Sequence, residues 1–226
     1  MINLKDLIYI KKKALTDEEC GIIIQEYHDN PEDPVYEHCP HSMDGVNTWS
    51  TFTRQNPRQD QPAFSLIHNT IEKMVQEYHT YTDQFNAFHA LRRLSMLHPH
   101  MYRIMRYDQG AWIHPHVDHD PGVYGSCTIN LNDDYTGGKF AFWHGQHHVE
   151  LEKGDAMIWP ADFYWVHEVE EIESGTRYSV NCFLRNKPQF LPPEVVYDPL
   201  LPDKVIETIK DPSKVRVIKK AYETTV

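Results

Sequence analysis

The chain has 226 residues, of which 24% are charged and 40% hydrophobic, and its net charge is −11. That length suits one domain with a substantial core, alone or with appendages. The acidic balance argues against a broad nucleic-acid surface, and no apolar run approaches the length of a membrane span. Met1 to Lys13 lacks the continuous apolar stretch of a signal peptide. Cys20, Cys39, Cys127 and Cys182 are scattered with no Cys-x-x-Cys, so they read as reduced thiols and a cytoplasmic location is expected.

Leu7 to Ile10 reads as a short strand. Thr16-Asp17-Glu18-Glu19 fits a capping box, in which Thr16 caps free N–H groups and Glu19 reaches back, so a helix is expected through about Tyr27. From residue 31 to 61 there is little periodicity and much Pro, Asn, Asp and Ser; the stretch reads as a long loop, with a lid as one role for it. Phe64, Ile67, Ile71, Met74, Val75 and Tyr78 recur at helical spacing, which predicts an amphipathic helix from Pro62 to about Tyr81. A second helical piece is expected over Asp83 to Leu91. Residues 1–95 therefore read as a support region.

From Leu97 the period shifts towards two. Strands are expected at about 100–108, 124–131, 139–144, 147–151, 155–159, 164–170 and 176–185, separated by turns at Asp133-Asp134, Gly137-Gly138, Gly145 and Lys153-Gly154. Many short strands with such turns predict a sandwich or double-sheet jelly roll over 96–187. Beyond it, six prolines from Pro188 to Pro212 interrupt any sheet. Residues 188–226 read as an extension that wraps the domain or meets a partner chain, so an oligomer could form through it. Trp112, Tyr124, Tyr135, Trp143 and Trp165 are candidates for a substrate groove, although aromatic residues on strands also serve as core.

The chemistry concentrates between Tyr107 and Asp118. His116-Val117-Asp118 is a His-x-Asp pair, and alternate residues of an extended strand point to one side, so an imidazole and a carboxylate can meet at one ion. Two His and one carboxylate make the facial triad of non-haem Fe(II) oxygenases, with positions left open. His114, His119 and Asp120 are close neighbours, but among the histidines around it only His116 has Asp two residues on. The third ligand must come from elsewhere, and His167 is the candidate.

Further residues recur in a definite order: Cys127 to Asn132, Thr136 to Phe140, Lys153 to Trp159, His167-Glu168-Val169 and Gly175 to Asn181. With the His-x-Asp pair, this series resembles the prolyl 4-hydroxylase-like branch of the Fe(II)/2-oxoglutarate dioxygenases, over roughly Leu97 to Arg185. The resemblance implies a double-stranded β-helix, buttressed by the N-terminal helices. It implies His167 as distal ligand, 49 positions after Asp118, ahead of His144, His147 and His148. It implies Arg177 as the cation that holds the far carboxylate of 2-oxoglutarate, a task that suits a guanidinium fork. Tyr107, Thr128 and Asn130 match positions that help bind this cosubstrate; a Tyr often stands in Asn130's place in relatives. Asn181 and Ser179 face away from Tyr178 and Val180, and either pair could line the pocket.

The implied activity is hydroxylation of a C–H bond, with 2-oxoglutarate and O2 converted to succinate and CO2, and with ascorbate as a candidate reductant. Asp118 favours hydroxylation, because halogenating relatives carry a small residue there. A peptidyl proline or another protein side chain is the first substrate class, and a free amino acid or other small molecule the alternative. A non-catalytic metal-binding jelly roll is the reading outside enzymes. The nucleic-acid demethylase signature is not reproduced between Arg177 and Arg185.

Overall fold

A computed structural model describes residues 3–30, 35–43, 46–85, 96–118 and 120–186; for 35–43 and 46–51 it describes the backbone. In chain order the elements are β1 (Tyr9–Lys11), α1 (Asp17–Asp29), β2 (Val35–Met43), β3 (Val46–Gln55) and α2 (Pro62–Asp83). The barrel follows with β4 (His98–Tyr107), β5 (Ile113–His116), β6 (Val123–Asn130), β7 (Thr136–Gly137), β8 (Phe140–Phe142) and β9 (His147–Val149). It closes with β10 (Ala156–Pro160), β11 (His167–Val169), β12 (Ile172–Ser174) and β13 (Arg177–Arg185).

Seven strands form the larger sheet, in the order β1-β10-β6-β13-β4-β3-β2, and four form the smaller, β5-β11-β8-β9. The short pair β12-β7 stands apart. The two main sheets face each other as the double-stranded β-helix. Period-two alternation decides what goes where. Tyr102 and Ile104 on β4, Cys127 and Ile129 on β6, and Val180 and Cys182 on β13 form one cluster with Ile23 of α1 and with Ile67, Ile71 and Met74 of α2. The two helices thus cover the apolar outer face of the large sheet. The alternate residues turn inward, where Met157 and Trp159 pack with Phe140, Phe142, Trp165 and Val169 of the smaller sheet and its loops.

The helices begin where their caps place them. Thr16 Oγ1 accepts from the Glu19 backbone N–H at 3.2 Å and the Thr16 N–H donates to Glu19 Oε2 at 2.8 Å, which completes the expected box. Pro62 opens α2, where a missing N–H costs nothing. The Gly137-Gly138 step has φ of +75° and +61°, and a Cβ on Gly137 would meet the Glu171 backbone, so the pair turns the chain as only glycine does cheaply.

Three expectations change. Residues 31–61 are not a loop throughout: β2 and β3 form an antiparallel hairpin, and Thr53 to Gln55 pair with β4, so the segment extends the large sheet. Its strands escaped notice because the apolar residues of Val35–Met43 and Val46–Gln55 do not alternate with a period of two. The first strand is Tyr9–Lys11, preceded by a 3-10 turn over Leu4–Leu7. The pair β7 and β12, at two and three residues, is too short for periodicity to register. The helix expected over Asp83 to Leu91 lies mostly, and the extension from residue 188 wholly, outside the described residues. Cys20, Cys127 and Cys182 are free and buried.

Candidate metal and cosubstrate site

His116 ends β5 and lies directly across from His167, the first residue of β11. Asp118 follows two residues after the strand has ended, so it is carried by the turn and not by the strand itself. The three converge, each offering one ligand atom, and these atoms all lie within 4.8 Å of one another. No other such His, Cys, Asp or Glu group occurs among the described residues.

The hydrogen bonds fix which ring nitrogens face inward. His116 Nδ1 lies 2.8 Å from the His114 carbonyl oxygen, and His167 Nδ1 lies 2.9 Å from that of Trp165. A carbonyl only accepts, so each Nδ1 carries a hydrogen, and in the neutral ring each Nε2 keeps a lone pair for a metal. Both Nε2 atoms point at Asp118, at 3.5 Å for His116 and 3.3 Å for His167. Backbone pinning of the outer nitrogen is the usual support of a metal-binding imidazole. Ser126 Oγ donates to Asp118 Oδ2 at 2.6 Å and orients the carboxylate from β6.

Burial pushes the Asp118 carboxyl up, but the facing His167 and His116 more than reverse this and hold it well below the usual carboxylate range. Burial lowers His167, and the Asp118 charge lifts it back above its ordinary value. The donor set of two imidazoles and a carboxylate suits a divalent iron. Phe140 stacks on the His167 ring, with centroids 5.4 Å apart and planes at 9°, and fixes it from the barrel side.

The competing residues are engaged elsewhere. His114 is buried with its ring 5.6 Å from His116, outside the converging set. Asp120 accepts from Arg185 at 3.1 Å, and His148 pairs with Glu170 at 2.7 Å. His147 lies on β9 opposite Phe142. His119 lies outside the described residues.

Arg177 opens β13 opposite Tyr107, and its guanidinium lies 5.2 Å from the Tyr107 ring centre. It is 2% exposed, its Nη1 donates to Ser179 Oγ at 3.4 Å, and its Nε has no partner. No carboxylate of the described residues lies within ion-pair distance of it. A buried cation of this kind is costly unless an anion reaches it.

Thr128 and Ser179 both donate to Asn181 Oδ1, at 2.9 and 3.3 Å, so β6 and β13 are tied across the inner face and Arg177, Ser179 and Asn181 share that face. Asn130 is spent on the protein: its amide donates to the Asn132 and Leu151 carbonyls and accepts from Tyr135. Two cavities of about 220 Å³ each result. One holds the His116, Asp118 and His167 cluster with Tyr107 and Asn181; the other holds Arg177, Asn130 and Tyr135, and Phe140 lines both. Of the other groove candidates, Trp165 is core and Trp143 packs against it, while Tyr124 is exposed.

Residues 102–185 match the profile of the 2OG-Fe(II) oxygenase superfamily. The match covers the barrel strands from β4 to β13. A PKHD-type hydroxylase of Hyphomonas neptunium is 37% identical in an alignment of 89 residues that covers 33% of this chain and 38% of the relative, so the match spans well under half of that curated protein. A viral collagen prolyl hydroxylase of Paramecium bursaria Chlorella virus-1, solved with 2OG, superposes with a TM-score of 0.55 at 15% identity, covering 79% of this chain and 96% of that one. A Trichoplax adhaerens prolyl hydroxylase, in complex with a hypoxia inducible factor peptide fragment, gives 0.58 at 12% identity, covering 80% and 84%. At such identities the shared feature is the fold.

The groups that the matching family implies fit the residues present. The three converging ligand atoms would hold Fe(II), and Arg177, buried without a counter-charge, would take a carboxylate of 2-oxoglutarate. Sequence reasoning missed Ser126, Phe140, Trp159 and Arg103 as site residues. Ser126 and Arg103 alternate with Thr128 and Tyr107 on their strands, and that period was the available signal.

Proposed function

We propose that the chain is an Fe(II)- and 2-oxoglutarate-dependent hydroxylase. The observation that carries this is the pair of imidazoles with outer nitrogens pinned to backbone carbonyls and inner nitrogens turned on Asp118. Iron and 2-oxoglutarate together would supply the oxidising chemistry, converting O2 and the cosubstrate to succinate and CO2 while a substrate C–H bond is hydroxylated. The chain's own work is positioning. Ser126 and the two carbonyls hold the ligands, Arg177 anchors the anion, and the aromatic wall of Phe140, Phe142 and Trp159 keeps water out.

Peptidyl proline, or another protein side chain, is the substrate class that the hydroxylase relatives support. A free amino acid or other small molecule is the second reading, for which the metal cavity of about 220 Å³ has room. Ascorbate would serve as reductant, and the buried free thiols suit a reducing, cytoplasmic setting. The test is succinate formation from 2-oxoglutarate under Fe(II) and O2, with peptide and amino-acid libraries. Stoichiometric metal binding without any 2-oxoglutarate consumption would leave a non-catalytic jelly roll instead.

A further inference from the structure

Most large apolar side chains exposed among the described residues stand alone, but three share one end of the barrel. Leu4, Ile10 and Ile22 sit singly on separate elements. Tyr124, Phe163 and Tyr164, at 42%, 67% and 57% exposed, flank the junction of β6 with the turn between β10 and β11. The Ala161 N–H donates to the Tyr124 carbonyl at 3.1 Å and so ties that turn to the start of β6. Phe163 and Tyr164 lie against each other, with ring centroids 4.0 Å apart. The turn is braced beneath them. The Tyr164 N–H donates to Asp162 Oδ1 at 2.9 Å, the Trp165 N–H to the Asp162 carbonyl at 3.0 Å, and Trp143 Nε1 to the Tyr164 carbonyl at 2.7 Å. The backbone thus holds two aromatic rings in water, and a grouped apolar surface of this kind marks a docking site.

The patch lies where the described chain stops. On β13, Leu184 pairs with Gly125 and Arg185 with Val123, so the chain leaves the sheet about 5 Å, one strand spacing, from Tyr124. Forty residues follow Asn186. In the stretch from Pro188 to Pro202, five residues are proline and only Gln189, Glu194 and Asp198 are polar. Proline-rich segments dock on aromatic surfaces, because their extended form is already low in entropy. Reach is sufficient: fully extended, the chain from Arg185 gets about 10 Å to Pro188 and about 27 Å to Pro193. A tether this short holds the segment at a high effective concentration. A second copy is the poorer occupant. Residues 1–186 carry a net charge of −12 and repel their like, whereas the forty that follow carry +1.

We propose that Tyr124, Phe163 and Tyr164 form the docking surface for this chain's own residues 188–202. Tyr124 precedes Ser126 by two residues on β6, Ser126 pairs with Trp159, and both of these line the metal cavity. The docked segment therefore lies beside that cavity, at the end of the barrel that carries Asp118. Two measurements on the full chain test this. In the first, Tyr124 is replaced by photoreactive p-benzoylphenylalanine, an equal mixture of unlabelled and heavy-nitrogen protein is irradiated, and the cross-links are mapped by mass spectrometry. The second follows chymotrypsin cleavage after Phe190, Leu191 and Tyr197. It compares the wild type with the double variant Phe163→Ser, Tyr164→Ser and with a control, Leu4→Ser, Ile22→Ser.

The cross-links fall within residues 188–202 and join positions of one chain. The double variant is cut about tenfold or more faster at the three sites, since cleavage tracks the undocked population, and the control is cut like the wild type. Cross-links between unlabelled and heavy chains put a second copy on the patch and overturn the proposal. Cross-links to another segment, or none at all, do the same. So does cleavage at one rate in all three proteins, or acceleration of the control as large as that of the double variant. Both variants change exposed side chains, and their melting curves show that they fold; the cross-linking result stands without them.

Discussion

Arg177→Ala is the perturbation that separates a cosubstrate-binding oxygenase from a barrel that merely holds metal. The side chain is 2% exposed, touches the Tyr107 ring and Ser179, and has no carboxylate of the described chain beside it. If it anchors 2-oxoglutarate, its loss strips a charge-assisted contact from a buried anion, at a cost of about 2–5 kcal/mol, or roughly thirty- to several-thousand-fold in affinity. A ligand at a hundred times its Kd stabilises its protein by about 2.7 kcal/mol. For a chain of this size that corresponds to about 5–10 °C in melting temperature. The wild type should therefore gain that margin on addition of 2-oxoglutarate, and Arg177→Ala should gain almost none at the same concentration. The assay pairs a melting curve with an anaerobic titration of the Fe(II) protein, followed by its visible charge-transfer band. Metal affinity should stay intact, since His116, Asp118 and His167 do not touch Arg177. Arg177→Lys should recover part of the loss, as charge is kept and the fork is not. An unchanged titration and an unchanged melting shift in Arg177→Ala would refute the assignment.

His167→Ala should lose Fe(II) at stoichiometric metal, measured by equilibrium dialysis, whereas His147→Ala and His148→Ala should keep it; full occupancy in the first would end the triad. His116→Ala should abolish 2-oxoglutarate consumption and His114→Ala should leave a measurable fraction, and the reverse outcome would place the ligands two residues out of register. Asp155, with its side chain 0% exposed, accepts from Lys12 and from the backbone N–H groups of Lys13 and Glu152, so Asp155→Ala strands two N–H groups and should cost about 2–3 kcal/mol in urea unfolding. Burial pushes this carboxyl up, but its donors outweigh burial and lower it, so its stabilisation is present above the unfolded value of about 3.9 and is lost as pH falls through the lower folded one. The gap between wild type and Asp155→Ala should thus be full at neutral pH and close in acid; a gap that widens below about pH 4 would contradict the sign.

Much of the fold was legible because both of its periods are strong. The Thr16 box and the stripe from Phe64 to Tyr78 belong to helices, and the strands from β4 to β13 alternate with a period of two. The hairpin of β2 and β3 was not legible, because its apolar residues, Val46, Trp49 and Phe52 among them, recur every third residue and not every second. The candidate ligands His116, Asp118 and His167 were readable from spacing and family order, and the structure brings the three together. The tautomers were not, since they depend on where the carbonyls of His114 and Trp165 fall once the chain bends.

The direction of the alternation is the harder inference. A strand that reads polar, apolar, polar is ordinarily assigned a wet polar face and a buried apolar one. Here Ser126, Thr128 and Asn130 on β6, and Arg177 and Ser179 on β13, are all buried, as are Cys127, Ile129, Tyr178 and Val180 between them. Two helices bury the apolar face, so the polar face is left for the barrel interior. Arg103 shows what that assignment changes. Read alone on β4 it is a surface charge on a strand, but with Ile104 facing α2 the same period turns it inward, and pairing with Asn181 brings it to the metal cavity. The two helices therefore do more than support the sheet: by taking its apolar face they determine that the polar one becomes the site.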